Sequence, residues 1–328
     1  MAAKLRFMSG HTSDLGKKHY NAPARADVVR PVPEELAGQR LDQALARMFP
    51  EHSRSRLQAW LRDGHIRLDS HAAKPKQRIR GGEEVRLVQQ PGPRDLAHQA
   101  ESIELPVVYE DASVIVVDKP AGLVVHPGSG NWKGTMLNAL LHHSPELARL
   151  PRAGIVHRLD KDTSGLLVVA RTLEAQTDLV RQLQARTVKR DYLALVHGAV
   201  KGEGSVEAPI GRDARVRTRM AVTGRGKPAL THYRVHTRFS DLTLLECSLS
   251  TGRTHQIRVH MHSIGHPLVG DPVYRLTRGR RGDSVCEAFP RQALHAWRLA
   301  FVHPASGKTM QFESQLPADM RDLLSALQ

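Results

Sequence analysis

Asp160 and Asp162 sit two residues apart in HRLDKDTSG, residues His157 to Gly165, together with a histidine, an arginine and a lysine. Paired carboxylates in such a run can chelate a divalent cation, carry a phosphoryl group, or supply one ionised oxygen to a covalent or proton-transfer step. A calcium loop fits only in part. Asp160, Asp162, Ser164 and Gly165 take its first, third, fifth and sixth positions, but the twelfth, which must be a bidentate glutamate, is Arg171. The flanks also have the character of strands, where that loop needs helices. An aspartyl-phosphate phosphotransferase puts its DxDxT after a hydrophobic strand. Here the apolar run GLLVVA follows the acids, and no acidic pair downstream completes a magnesium site. A plain polar turn, with Thr163 and Ser164 bonding to nearby backbone, stays open.

Two further segments carry chemistry-bearing residues: TGRTHQIRVHMHSIGHPLVGDPVY from Thr251 to Tyr274, and RQALHAWRLAFVHP from Arg291 to Pro304. His255, His260 and His262 suggest zinc, but their spacing is not HExxH and no glutamate lies among them. Structural histidines are the simpler reading, and no metal site is expected. Arg253 and Arg258 lie in a stretch that also holds Ile257, Val259 and Met261. An arginine held among core residues needs a carboxylate or a phosphate as partner.

The elements that must position these groups are mostly strands. PVVYED, SVIVVDKP, GLVVHP, GLLVVA, DYLALVHG, LTLLECSL and LAFVHP are strand-like, while TMLNALLHH and LEAQTDLVRQLQ have helical character. Strands outnumber helices and are often separated by tight turns. The expectation is an α+β catalytic domain over residues 106–328 with a mixed, largely antiparallel sheet. Upstream, Leu41, Ala44, Leu45 and Met48 follow helical spacing in RLDQALARMF, and Leu57, Trp60 and Leu61 share a face in SRSRLQAWLRDG. Ser53 or Ser55 can start that second helix and Gly64 can end it. With the strand-like HIRLD and EVRLV and the basic run AAKPKQRIRGG, residues 36–90 resemble a small S4 RNA-binding domain. Arg54, Arg56, Arg62, Lys74 and Lys76, with Arg78 and Arg80, are its candidate RNA contacts. Residues 91–105 are polar and Pro- and Gly-punctuated, as a linker would be, and residues 1–35 form a flexible basic N-terminal arm.

The bulk numbers narrow the function. A chain of 328 residues with a formal charge of +15 attracts polyanions. Cys247 and Cys286 are its two cysteines, too few for a disulfide scaffold or a four-thiolate zinc site, and they suit a reducing cytoplasmic setting. No apolar stretch is long enough for a signal peptide or a membrane span, so nucleic acid is preferred to membrane as the partner. No coiled-coil or apolar stripe stands out, which favours a monomer.

HRLDKDTSG, RDYLALVHG, TGRTHQIRVHMHSIGHPLVGDPVY and RQALHAWRLAFVHP resemble, in that order, the pseudouridine synthases of the RluA family, and VDKPAGLVVHPGSGN and GTMLNALL fit the same pattern. The tyrosine motif begins with Arg190, where lysine is common in the family. The resemblance implies isomerisation of uridine to pseudouridine in 23S rRNA, free or in an assembling large ribosomal subunit, with the helix 69 stem-loop as target. No atom is gained or lost in that reaction, so no cofactor is implied. It also implies Asp160 as the reacting carboxylate, Arg258 as the cation beside it and Tyr192 beside the base. Burial alone would favour the neutral acid, and a neighbouring guanidinium opposes this. The target nucleotide must be flipped out of its stack, and Arg158 would enter the gap it leaves. Phosphate contacts would come from the S4-like helix and from Arg212, Arg215, Arg217, Arg219 and Arg225. Two alternatives remain: a family paralogue acting on another rRNA or tRNA site, and a non-catalytic ribosome-assembly protein that binds RNA. A phosphohydrolase built on DKDTS would differ from these in being inactivated by a chelator.

Overall fold

The computed structural model describes residues 27–90, 97–128, 130–275 and 288–328. The chain divides into two compact units, Met1–Gly92 and Pro93–Gln328. In the first, β1 (Asp27–Pro31), β2 (Ile66–Leu68), β3 (His71–Ala72) and β4 (Glu84–Val88) form an antiparallel sheet in the order β1-β4-β2-β3. Its helices are α1 (Leu41–Met48) and α2 (Arg54–Arg62). The helical spacing works as expected. Leu41, Ala44 and Leu45 of α1 and Leu57, Trp60 and Leu61 of α2 are buried against Ile66, Leu68, Val85 and Leu87 of the sheet. Ser53 caps α2 by accepting the Arg56 N–H at 3.3 Å, and Gly64 follows the helix with φ +77°.

The expected arm does not extend to residue 35. Residues 1–26 lie outside the described residues, but Asp27–Pro31 pairs with β4, and Val32 and Leu36 join the core. This strand is only five residues long and largely exposed, too short to stand out against the basic run before it.

The second unit holds β5 (Val107–Glu110), β6 (Val114–Lys119), β7 (Ser164–Ala170), β8 (Lys189–His197), β9 (Gly204–Glu207), β10 (Ile210–Arg212) and β11 (Met220–Val222). Then follow β12 (Leu230–Arg238), β13 (Leu242–Leu249), β14 (Leu294–Val302) and β15 (Thr309–Glu313). The main sheet runs β5-β6-β7-β14-β8-β13-β12-β9, with β15 also on β14; β10 and β11 form a separate hairpin. Only β7 and β14 pair in parallel, so the sheet is mixed and largely antiparallel. Helices α3 (Met136–His143) and α5 (Gln256–Ser263) cover one face, over Ile115, Val117, Leu167, Val169, Ala194 and Leu245. On the other face α4 (Leu173–Gln184) covers Val116, Leu166 and Val168, and α6 (Ala318–Ser325) covers Leu193, Leu195 and Leu244. Both faces of β7 are thus dry, which is why its sequence is a continuous apolar run rather than an alternating one.

Two expectations for this unit change, and one helix adds to those expected. GLVVHP is no strand: Val124 makes a lone bridge to Thr135, and the rest is turn, bend or irregular. The segment QIRVHMHS, without a clear polar face, is helix α5, because residues 256–261 are buried on all sides. The linker ends earlier than residue 105. Asn138 Nδ2 donates to the Gln99 carbonyl at 2.7 Å, and the Glu101 carboxylate accepts the Gly134 N–H at 2.9 Å, so this stretch is docked onto α3. No helix among the described residues is long and apolar enough to cross a membrane.

Candidate active site

Residues from the 157–163 turn, β8 and the start of α5 line one cleft of about 1080 Å³ in the second unit. Asp160, Tyr192, Arg258 and Arg158 all face it. The turn leads straight into β7, and Gly165 makes the junction possible. It has φ +112°, and a Cβ there would stand 2.2 Å from the Ala296 carbonyl oxygen of β14. Only glycine allows the strands to start pairing this close to the turn.

Buried side chains hold the turn from beneath. Lys119 Nζ, fully buried at the end of β6, donates to the Lys161 carbonyl at 2.9 Å and to those of Pro120 and Leu123. Arg291 Nη1 donates to the Asp162 carbonyl at 3.0 Å, and Gln292 Nε2 to Thr163 Oγ1 at 3.1 Å. Arg291 is itself clamped to Asp319 of α6 at 2.6 and 2.9 Å. Inside the turn the Thr163 N–H closes onto the Asp160 carbonyl at 3.1 Å. Asp160 is therefore fixed by its backbone before any partner reaches its side chain.

That partner is Arg258 on α5, only 4% exposed. Its Nη1 donates to Asp160 Oδ2 at 3.0 Å. Its Nε and Nη2 make a fork to Asp271 at 2.7 and 2.9 Å. Burial works against the charge on Arg258, but the bonds to Asp271 and Asp160 outweigh it and hold the guanidinium protonated. Two carboxylates around one guanidinium leave the trio with a net negative charge, presented to the cleft on Asp160. Tyr192, 5% exposed, comes from β8. Burial raises its phenol above the usual range; Arg190 pulls against this, and Asp160 and Asp191 add to it.

His255 also reaches the site. It precedes α5 with left-handed φ 57°, places Nε2 4.0 Å from Asp160 Oδ1, and sets Nδ1 3.0 Å from the Tyr274 hydroxyl. Of the other histidines in this segment, His260 has both ring nitrogens engaged, by Thr231 Oγ1 and the Ala208 carbonyl, each at 2.9 Å.

The candidate RNA contacts are distributed unevenly. Arg212, Arg215, Arg217 and Arg225 are exposed on the β10–β11 hairpin and its flanks, whereas Arg219 is half-buried with its guanidinium 5.0 Å over the Tyr274 ring. In the first unit Arg62, Lys74 and Lys76 are exposed. Arg56 stacks 4.6 Å over Trp60 and donates to the Gln90 carbonyl. Arg54 is not a free contact: with Arg40 it neutralises the fully buried Asp42, to which Gln58 Nε2 also donates. Burial would push that carboxyl up, yet these bonds outweigh it and hold Asp42 at about 2.

Comparison with known proteins agrees with this layout. The family profile described as RNA pseudouridylate synthase matches residues 113–263, and the S4 domain profile matches residues 39–85. The chain is 60% identical over 298 residues to ribosomal large subunit pseudouridine synthase D of Nitrosomonas europaea, covering 90% of this chain and 86% of that one. This chain belongs to the RNA pseudouridylate synthase family. Another synthase of the same description, from Pseudomonas aeruginosa, is 53% identical over 90% of this chain and 94% of its own. Among solved structures, human RNA pseudouridylate synthase domain containing 1 superposes with a TM-score of 0.53 at 26% identity, over 73% of this chain and 97% of that one.

Against this family's chemistry, sequence reasoning missed Asp271, Lys119, Arg291 and His255 as parts of the site. Each lies inside a quoted motif, but the signal that would separate it from its neighbours is tertiary. Asp271 is 13 residues from the arginine it holds, and Arg291 is 129 from the carbonyl to which it donates.

Proposed function

We propose that this chain isomerises uridine to pseudouridine in the RNA of the large ribosomal subunit, at the helix 69 stem-loop of 23S rRNA, and that Asp160 is the reacting carboxylate. The observation that carries the reading is the ion pair of Asp160 with buried Arg258 at 3.0 Å, in a cleft also lined by Tyr192. The relatives named above, described as large-subunit enzymes, support the substrate.

The N1–C1′ bond of the target breaks, the uracil turns, and C5 bonds to C1′ while its proton leaves and N1 gains one. Asp160, ionised beside Arg258, acts on the nucleoside in this step, and Arg258 keeps its charge and its aim. Tyr192 packs against the base, its hydroxyl able to carry a proton to or from it. The base must first leave its stack, at a cost of a few kcal/mol that is least in a loop. Arg158, exposed at the cleft with no ion pair among the described residues, is suited to fill the gap. Arg62, Lys74, Lys76, Arg212, Arg215 and Arg217 supply phosphate contacts without sequence choice. The enzyme works as a monomer in the cytoplasm, without cofactor or metal.

Tritium release from a 23S fragment carrying C5-labelled uridine tests this. Wild type should release one label per target uridine, while Asp160→Asn should release none yet still bind the RNA. A folded wild type that releases nothing, or an active Asp160→Asn, refutes the assignment.

A further inference from the structure

Three arginines are buried among the described residues: Arg190, Arg258 and Arg291. Arg258 and Arg291 have carboxylate partners at 2.7 and 2.6 Å. Arg190 has none. It is 8% exposed, lies on β8 two residues before Tyr192, and lines the same cleft. Its Nε is sealed from solvent with no acceptor, and its side chain makes no hydrogen bond among the described residues.

Its neighbours do not neutralise it. Asp191 accepts from Ser248 Oγ at 2.6 Å. His157 Nε2 accepts the Val168 N–H at 3.2 Å, so its ring proton sits on Nδ1, itself buried and unpartnered. Burial pulls the His157 imidazole down to about 3, with the Arg190 charge adding to the effect, so His157 offers a donor rather than an acceptor. The cleft wall also carries Arg158, Arg186 and Arg253, and the one carboxylate lining it, Asp160, is held by Arg258. At Gly252 a Cβ would stand 3.0 Å from Arg190 Nη1, so the glycine leaves the guanidinium unobstructed on that side.

A guanidinium buried without a counter-charge is unfavourable, and two adjacent orphan donors compound it. An anion entering the cleft would complete it with charge-assisted bonds. We infer that Arg190 is an anchor for a backbone phosphate of the RNA strand, one of the two that flank the extruded nucleotide. The inference rests on the function proposed above and deepens it: the site grips the strand next to the base as well as the base. The planar fork of an arginine suits two phosphate oxygens, and a lysine would keep the charge while losing the fork.

The test uses the full chain and a stem-loop RNA containing the target uridine, with either flanking phosphate replaced by a neutral methylphosphonate. For wild type, one of the two replacements should weaken binding by about 10-fold. Arg190→Met should show a similar loss with unmodified RNA and no further loss with that methylphosphonate. Its slope of log affinity against log salt should flatten by about 0.7–0.9. Arg190→Lys should recover most of the affinity. Wild type that binds both neutral-phosphate RNAs as well as the unmodified one overturns the inference, whatever the fold of the variants. So does an Arg190→Met that binds normally but reacts slowly at saturation, since the guanidinium would then act on the departing base. A wild type that binds but converts no uridine refutes the proposed function instead, and the binding arms still decide the phosphate.

Discussion

Replacing Arg258 with methionine separates what this residue does for the fold from what it does for catalysis. The change removes two bonds to Asp271, at 2.7 and 2.9 Å, and one to Asp160 at 3.0 Å. The two carboxylates then fare differently. Asp160 retains 16% of its side-chain exposure and can be hydrated, whereas the Asp271 side chain is fully buried. Asp271 Oδ1 still accepts the Val273 and Tyr274 N–H groups at 2.8 and 3.0 Å, but Oδ2 is left with nothing. Orphaning one member of a buried pair costs about 3–5 kcal/mol. That raises the unfolded fraction roughly 10²- to 10⁴-fold.

Urea unfolding followed by Trp132 and Trp297 fluorescence, in a Trp60→Phe background that silences the first unit, reads this stability. Arg258→Met should unfold at clearly lower urea. Adding Asp271→Asn should restore most of the loss, since its carbonyl can keep both backbone bonds while the charge disappears. Turnover should not return in the double variant, because Asp160 still lacks its cation. An Arg258→Met as stable as wild type, or a double variant no better than the single, would refute the buried-trio reasoning.

Gly165→Ala should destabilise the second unit by about 3 kcal/mol or more, because left-handed backbone and a clash with Ala296 coincide; an unchanged melting temperature contradicts this. Burial pulls Lys119 down to about 7, against the support of Asp162 and Asp160 and with Arg291 adding to the fall. Its folded value lies below that of the unfolded chain, about 10.4, so unfolding takes up a proton between the two, and stability gains with rising pH across that window. The wild-type-minus-Lys119→Met difference in unfolding free energy should therefore rise by a few kcal/mol from pH 7 to 10, and a flat difference would refute it. Changing exposed Arg215 and Arg217 together to glutamine should flatten the salt dependence of RNA binding by about 1.4–1.8 in log–log slope. An unaltered slope removes the hairpin from the RNA path.

Legibility followed burial geometry. Helices α1 and α2 have one wet face, so Leu41, Ala44, Leu45 and Leu57, Trp60, Leu61 print a period into the sequence. Strands β7, β8, β13 and β14 are dry enough to show as apolar runs, and the polar turn between Ile155 and β7 stood out because it interrupts one. Helix α5 has no such signature: residues 256–261 are all buried, and its start is a left-handed histidine rather than a capping residue. Strands β9 to β12 are short, or polar on one side, and their pairing rather than their composition makes them strands. The site divides in the same way. Asp160, Tyr192 and Arg258 could be named because each sits in a contiguous motif whose residue types fit the chemistry. What fixes Asp160 could not, since Lys119, Arg291 and Asp271 look like ordinary surface charges until the fold encloses them. Arg190 is the limiting case. Its sequence neighbours suggest a strand residue like any other, and only the absence of a counter-charge around a buried guanidinium sets it apart, a property that belongs to the packed molecule rather than to any stretch of chain.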